Sequence, residues 1–160
     1  MKVVIIDDEP LISDKLKRIM ETGLRGMHTV CAFTDAQTAL DYIEREKPGV
    51  ILTDIRMPGI TGIDLAKQID QMDYGAKIVF LTGYAEFEYA RYGIEYKVFD
   101  YLLKPVDEQE AIKCLNRAIS AFHAEQKHTE MYQIFQDYFV KNQELIRQQF
   151  VEKLFFQPVI

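Results

Sequence analysis

Pro48-Gly-Val-Ile-Leu-Thr-Asp54-Ile-Arg-Met-Pro-Gly-Ile-Thr-Gly62 is the stretch on which the reading of this chain turns. Val50, Ile51 and Leu52 make a short apolar run, closed on both sides by Pro and Gly. A run of that length and composition is a strand buried on both faces, and it ends at Asp54. Arg56-Met57-Pro58-Gly59 is then a turn that cannot prolong the strand. A carboxylate at the end of a buried parallel strand sits where open α/β sheets keep their ligand sites. It is also ordinary turn chemistry, because Asp readily starts a turn. Both readings stand on this stretch alone.

The chain around it repeats one pattern. Residues 2–6 (Lys-Val-Val-Ile-Ile) are a β-branched run that ends in Asp7-Asp8-Glu9-Pro10. Three acids in succession repel unless a cation lies among them; otherwise they form a solvated turn with Pro10 opening a helix. Residues 10–21 carry Leu11, Ile12, Leu16, Ile19 and Met20 at helical spacing, and Thr22-Gly23 closes that helix. Residues 28–33 read as a second strand, Thr34-Asp35 as an N-cap, and residues 36–46 as a helix with Ala39, Leu40 and Ile43 inward. After the strand at Asp54, a helix starts at Thr61 or Gly62 with Ile63, Leu65, Ala66 and Ile69 inward. Residues 76–81 are a fourth strand ending in Thr82-Gly83, and residues 86–96 a helix. Residues 98–103 are a fifth strand ending in Lys104-Pro105, and Asp107 caps a helix over residues 108–122.

Five strand-helix repeats with short connections predict one parallel sheet with helices on both faces. Every acid, hydroxyl and lysine singled out then falls at the carboxyl end of a strand, along one sheet edge. A lysine ending a buried strand is costly without a partner, and acids at neighbouring strand ends would supply one. That coincidence favours a functional site over separate turns.

Composition sets bounds. The chain has 160 residues, 48% hydrophobic and 28% charged, which suits one domain with some chain to spare. A formal net charge of -6 is a poor basis for binding nucleic acid, which needs clustered Lys and Arg. Cys31 and Cys114 lie in apolar surroundings and read as small buried side chains of a reduced, cytoplasmic protein. No apolar run approaches the length of a membrane span. His28, His123 and His128 are scattered and lack metal-like partners in sequence.

Taken together, Asp7-Asp8-Glu9, Asp54, Thr82 and Lys104-Pro105 resemble the receiver domain of two-component response regulators, over residues 1–122. Gly83-Tyr-Ala-Glu-Phe-Glu-Tyr-Ala-Arg and Phe99-Asp-Tyr-Leu-Leu-Lys-Pro-Val-Asp107 are similar to receivers that head AraC-type, YesN-like transcriptional regulators. The resemblance implies a flavodoxin-like (CheY-like), doubly wound, five-stranded parallel sheet of order 2-1-3-4-5. It implies that Asp54 accepts a phosphoryl group from a sensor histidine kinase. Asp8 and Asp54 would hold Mg²⁺ through their carboxylates, Asp7 through water, and Arg56 through its backbone carbonyl. Thr82 and Lys104 would contact phosphoryl oxygens, Thr82 and Tyr101 would form the switch, and the Lys104-Pro105 bond would be cis. Such a protein is no enzyme acting on a separate substrate; it assists its own phosphorylation and dephosphorylation.

Residues 123–160 lie beyond a receiver. Met131, Ile134, Phe135, Tyr138, Phe139, Leu145, Ile146, Phe150, Leu154 and Phe155 recur at helical spacing, with a polar interruption at 141–144 and Pro158 as the stop. One long helix or two in line both fit, as a signalling helix pairing in a coiled coil or as a tail folded back on its own domain. The expected homodimer would use this tail or the face made by the fourth helix, fifth strand and fifth helix. No Lys/Arg-rich recognition helix follows, so the DNA-binding output domain is expected in the full-length protein and not in this chain. Three other functions compete. A Mg²⁺-dependent aspartyl phosphohydrolase would want an acid two residues after Asp54, where Arg56 stands. A flavin module would want a Gly- or hydroxyl-rich loop after the first strand, where Asp7-Asp8-Glu9 stands. A dimerisation module indifferent to phosphorylation shares every feature of the tail.

Overall fold

The computed structural model describes residues 1–83, 97–145 and 147–148. Five parallel strands form one sheet: β1 (Lys2–Ile6), β2 (Thr29–Phe33), β3 (Val50–Asp54), β4 (Lys77–Thr82) and β5 (Asp100–Leu103). Their order is β2-β1-β3-β4-β5, so β2 and β5 are the borders, and the expected topology holds. The helices described are α1 (Pro10–Gly23), α2 (Ala36–Glu46), α3 (Gly62–Gln71) and α4 (Glu108–Lys141). The helix expected over residues 86–96 lies outside the described residues, as do Ile146, Phe150, Leu154, Phe155 and Pro158 of the tail.

Alternation of side chains along each strand divides the core in two. Val3, Ile5, Val50, Leu52, Val79 and Leu81 point to one face, against Leu16 and Met20 of α1 and Ala111, Cys114, Leu115 and Ala118 of α4. Val4, Ile6, Ile51 and Phe80 point to the other, against Leu40 and Ile43 of α2 and Leu65 and Ile69 of α3. Because both faces are covered, the central strands carry continuous apolar runs, and β3 is buried at all five positions.

The helix starts follow from side-chain chemistry. Asp35 accepts the Thr38 backbone N–H at 2.7 Å, and Asp107 accepts that of Glu110 at 3.0 Å. Thr61 and Asp64 satisfy each other's backbone N–H groups in a capping box at the start of α3. α1 has no side-chain cap and relies on Pro10 in its first turn, where a missing N–H costs nothing.

Three expectations need correction. The last helix does not stop at 122 but continues to Lys141; no Gly or Pro lies between Pro105 and Pro158 to end it. β5 starts at Asp100 and not at 98, because Lys97 adopts a left-handed φ of 53° and Phe99 is fixed by a 2.7 Å hydrogen bond to the Ile78 carbonyl. Cys31 is only half-buried, on the border strand β2, where its thiol donates to the Tyr42 hydroxyl at 3.4 Å; Cys114 is buried.

The chain divides into two compact units, Met1–His123 and Ala124–Ile160. Among the described residues no helix is long and apolar enough to cross a membrane.

Gly62 is the tightest point of the fold. A Cβ there would lie 2.2 Å from the carbonyl oxygen of Asp54 and 3.0 Å from Ile55 Cα, both backbone. The Gly62 N–H donates to the Ile55 carbonyl at 3.0 Å, closing the 55–62 loop on itself. Gly62→Ala is therefore expected to lower the unfolding free energy by about 1–3 kcal/mol, the usual cost of overpacking, as read from urea denaturation; an unchanged midpoint would show that the loop gives way freely.

Candidate functional site

Strand register assembles the site before any side chain is considered. Ile6 pairs with Thr53, so Asp7 and Asp54 follow as neighbours across the β1–β3 ladder. Asp54 pairs with Leu81, and Thr82 with Leu103, which places Thr82 and Lys104 one step beyond. The Lys104 backbone N–H donates to the Thr82 carbonyl at 2.7 Å and holds the two strand ends together.

Asp7 has no exposed surface. Its backbone N–H is held by the Phe33 carbonyl at 3.1 Å, and its Oδ1 accepts the Glu9 N–H at 2.9 Å. Its Oδ2 lies 2.8 Å from the Lys104 ammonium, close enough for an ion pair but poorly aligned, so among the described residues this enclosed oxygen has no aligned hydrogen-bond donor. Asp54 is 7% exposed. Its Oδ2 is 3.1 Å from the same ammonium, and its Oδ1 accepts only a long bond, 3.4 Å, from the Arg56 N–H. Neighbouring strands are about 4.8 Å apart, so β5 lies about 10 Å from β3 and farther from β1. Only a long, flexible side chain reaches both acids from there, which a lysine stem does.

Asp8 is exposed and completes the group: carboxylate oxygens of Asp7, Asp8 and Asp54 lie within 4.8 Å of one another. Three hard oxygen donors, one of them buried without an aligned donor, fit a hard divalent cation such as Mg²⁺. Burial pushes the Asp54 carboxyl above the usual carboxylate range; the Lys104 charge opposes this without cancelling it, and Asp7 adds to the rise. Burial alone would lower the Lys104 ammonium, but the carboxylates of Asp7 and Asp54 outweigh it and hold it above the ordinary lysine value.

The remaining candidates are at the same edge in different roles. Thr82 is 8% exposed and its hydroxyl donates to the Gly83 carbonyl at 2.9 Å, not to a carboxylate. Arg56 is exposed, and its backbone N–H is its contact with Asp54. Tyr101 is half-buried with its ring centroid 6.0 Å from that of Phe80, tilted by 60°. The Lys104-Pro105 bond is cis. Sequence reading named Gly62 only as a helix start; the Thr-Gly-x-Asp spacing of the capping box was the signal that the α3 start is pressed against Asp54.

Residues 3–116 match the response regulator receiver domain family. The chain belongs to that family. Among curated relatives, the receiver is 40% identical over 118 residues to the transcriptional regulatory protein HptR of Staphylococcus aureus, covering 74% of this chain and 46% of that protein. It is 32% identical over 127 residues to the transcriptional regulatory protein YesN of Bacillus subtilis, covering 79% of this chain and 34% of the other. The chain thus spans less than half the length of these relatives. Among solved structures, the receiver of AraT, a response regulator of Geobacillus stearothermophilus, superposes with a TM-score of 0.71 at 31% identity, over 78% of this chain and 97% of that one. A two-component transcriptional regulator AraC of Clostridium phytofermentans gives 0.72 at 28% identity, over 79% and 98%.

The raised carboxyl of Asp54 sets a pH dependence for the metal-free receiver. The native state keeps this proton to higher pH than the unfolded chain, so unfolding releases it and stability falls as pH rises above about 4, where a free Asp titrates. Asp54→Asn is expected to be more resistant to urea than wild type at pH 7 without divalent cations, with the gap closing below about pH 4. A wild type that is the more stable at pH 7 would show that the Lys104 pair outweighs burial.

Proposed function

We propose that Asp54 is the phosphoryl acceptor of a two-component signalling pathway and that the donor is a phosphohistidine of a sensor kinase. The observation that supports this most is the placement of one ammonium, Lys104, against two buried carboxylates, Asp7 and Asp54, with a third acid at the mouth. Phosphoryl transfer asks a protein mainly for positioning and charge neutralisation, and this cluster supplies both. An Asp54 oxygen forms the new P–O bond while the P–N bond of the donor breaks and its electron pair returns to the imidazole. Lys104 offsets charge on the phosphoryl oxygens, and Thr82 gives up the Gly83 carbonyl to donate to one of them.

Asp7, Asp8, Asp54 and the Arg56 carbonyl would hold Mg²⁺, which neutralises the phosphoryl oxygens when bound. Movement of Thr82 would change the packing of Tyr101, whose ring neighbours Phe80, and so shift the surface made by β5 and the first turns of α4. In the full-length protein that surface would control a DNA-binding domain and hence transcription, as the names of HptR and YesN, transcriptional regulatory proteins, suggest. The reading is of a receiver acting in the cytoplasm on its own acceptor residue.

Acetyl phosphate with Mg²⁺ is expected to add one phosphoryl group to wild type and none to Asp54→Ala, by intact-protein mass; equal labelling of the variant would overturn the acceptor assignment. Mg²⁺ alone should raise the melting temperature, by about 1.4 kcal/mol of added stability at ten times its Kd. Asp8→Ala should lose most of that gain, and an undiminished response would place the cation elsewhere.

A further inference from the structure

The tail carries an apolar stripe with its own register. His128, Met131, Phe135, Tyr138, Asn142 and Leu145 follow one another by alternating steps of three and four residues, the a and d positions of a heptad. Tyr132, Ile134 and Phe139 flank that seam at the neighbouring e and g positions. The large apolar members of this set are 46–69% exposed. Glu130, Asp137 and Glu144 recur every seven residues on the opposite side of the helix. Asn142 ends the turn after α4, yet its N–H still bonds the Tyr138 carbonyl four residues back at 3.0 Å, and residues 143–145 are helical again, so the register runs through it.

This stripe shares only the Cys114 line, at His128, Phe135 and Asn142, with the receiver-facing side of α4. Ala111, Leu115 and Ala118 are buried within the first unit. Extending their series by the same steps meets Phe122, Glu125, Thr129, Tyr132 and Gln136, which are polar at three of the four positions past the first unit. Met131, Phe135, Tyr138 and Leu145 lie off that series, so the second unit carries an apolar seam of its own.

We propose that residues 124–145 pair with the same segment of a second copy of this chain, in a parallel two-stranded coiled coil with Met131, Phe135, Tyr138 and Leu145 in the seam. Area supports a protein partner: a large aromatic buries about 150–250 Å², so the exposed parts of the four seam side chains together with Tyr132, Ile134 and Phe139 amount to on the order of 800 Å² per copy, the share of a standard interface. Charge argues against a lipid surface, because the polar side is acidic where a membrane-binding helix carries Lys and Arg. The polar seam residues select the same chain in parallel. Asn142 gives one amide hydrogen to the Tyr138 carbonyl at 2.8 Å and keeps the other, with Oδ1, for the Asn142 of the second copy. An antiparallel pair would set that amide against apolar side chains near Met131. The pairing does not depend on the acceptor role of Asp54.

Sedimentation equilibrium of the full 160-residue chain tests it, with Mg²⁺ and phosphodonor absent. The expected mass is twice the 18.7 kDa of one chain. Phe135→Glu with Tyr138→Glu should give a single-chain mass while the melting transition of the receiver is retained, and Gln136→Glu, on the outer side, should leave the dimer intact. In a separate Tyr138→Cys variant, mild oxidation should link the two introduced thiols across the seam, against the unsubstituted chain as control. A single-chain mass for wild type, whether or not it binds phosphatidylglycerol vesicles, would overturn the proposal. So would a tetramer, a dimer that survives the double substitution, or a dimer without the cross-link.

Discussion

A single ammonium lets this sheet end in acids. Asp7 is fully enclosed and Asp54 nearly so, and two carboxylates at that depth repel and lack hydration. Lys104 lies within 2.8 and 3.1 Å of them and is the cation that makes their proximity tolerable. The strand order follows the same need. Lys104 comes from β5 at the border, so it crosses the end of β4 and enters the acid group from one side, leaving Asp8 and the solvent side open for a second cation. The cluster is thus part of the fold and part of the chemistry at once, and the half-satisfied oxygen of Asp7 is where those two demands meet.

The scaffold that holds the cluster is ordinary by comparison. Each strand sends alternate side chains to opposite faces, and four helices among the described residues cover them. The exception is the 55–62 loop, where the start of α3 approaches the Asp54 carbonyl so closely that glycine is required at 62. A capping box next to that glycine anchors the helix, so the acceptor carboxylate is framed by backbone on one side and by Lys104 on the other.

Most of this was legible in the sequence because each signal had a local cause. The Val50–Leu52 run, the Asp35 and Asp107 caps and the Pro-Gly stops gave the strand-helix alternation, and alternation gave the shared edge. What escaped reading depended on tertiary geometry. That Asp7 lies nearer the ammonium than Asp54 does, that the Thr82 hydroxyl turns to Gly83, and that Cys31 stays half-exposed on a border strand are facts of packing, not pattern. The length of α4 was underread for another reason. No breaker marks residue 123, and the apolar series gives way to the polar run 125–130 without interrupting the helix, so a search for one continuous stripe ends too early.

The shortness of β5 has a consequence for how the molecule behaves in company. A sheet border offers unpaired backbone groups to any passing extended chain, the usual seed of fibrous aggregation. Here that border is four residues long and is followed one residue later by Pro105, which has no N–H to offer. The docking rail is too brief to template a foreign strand, and this side of the receiver can remain open to solvent at high concentration without growing into a larger sheet.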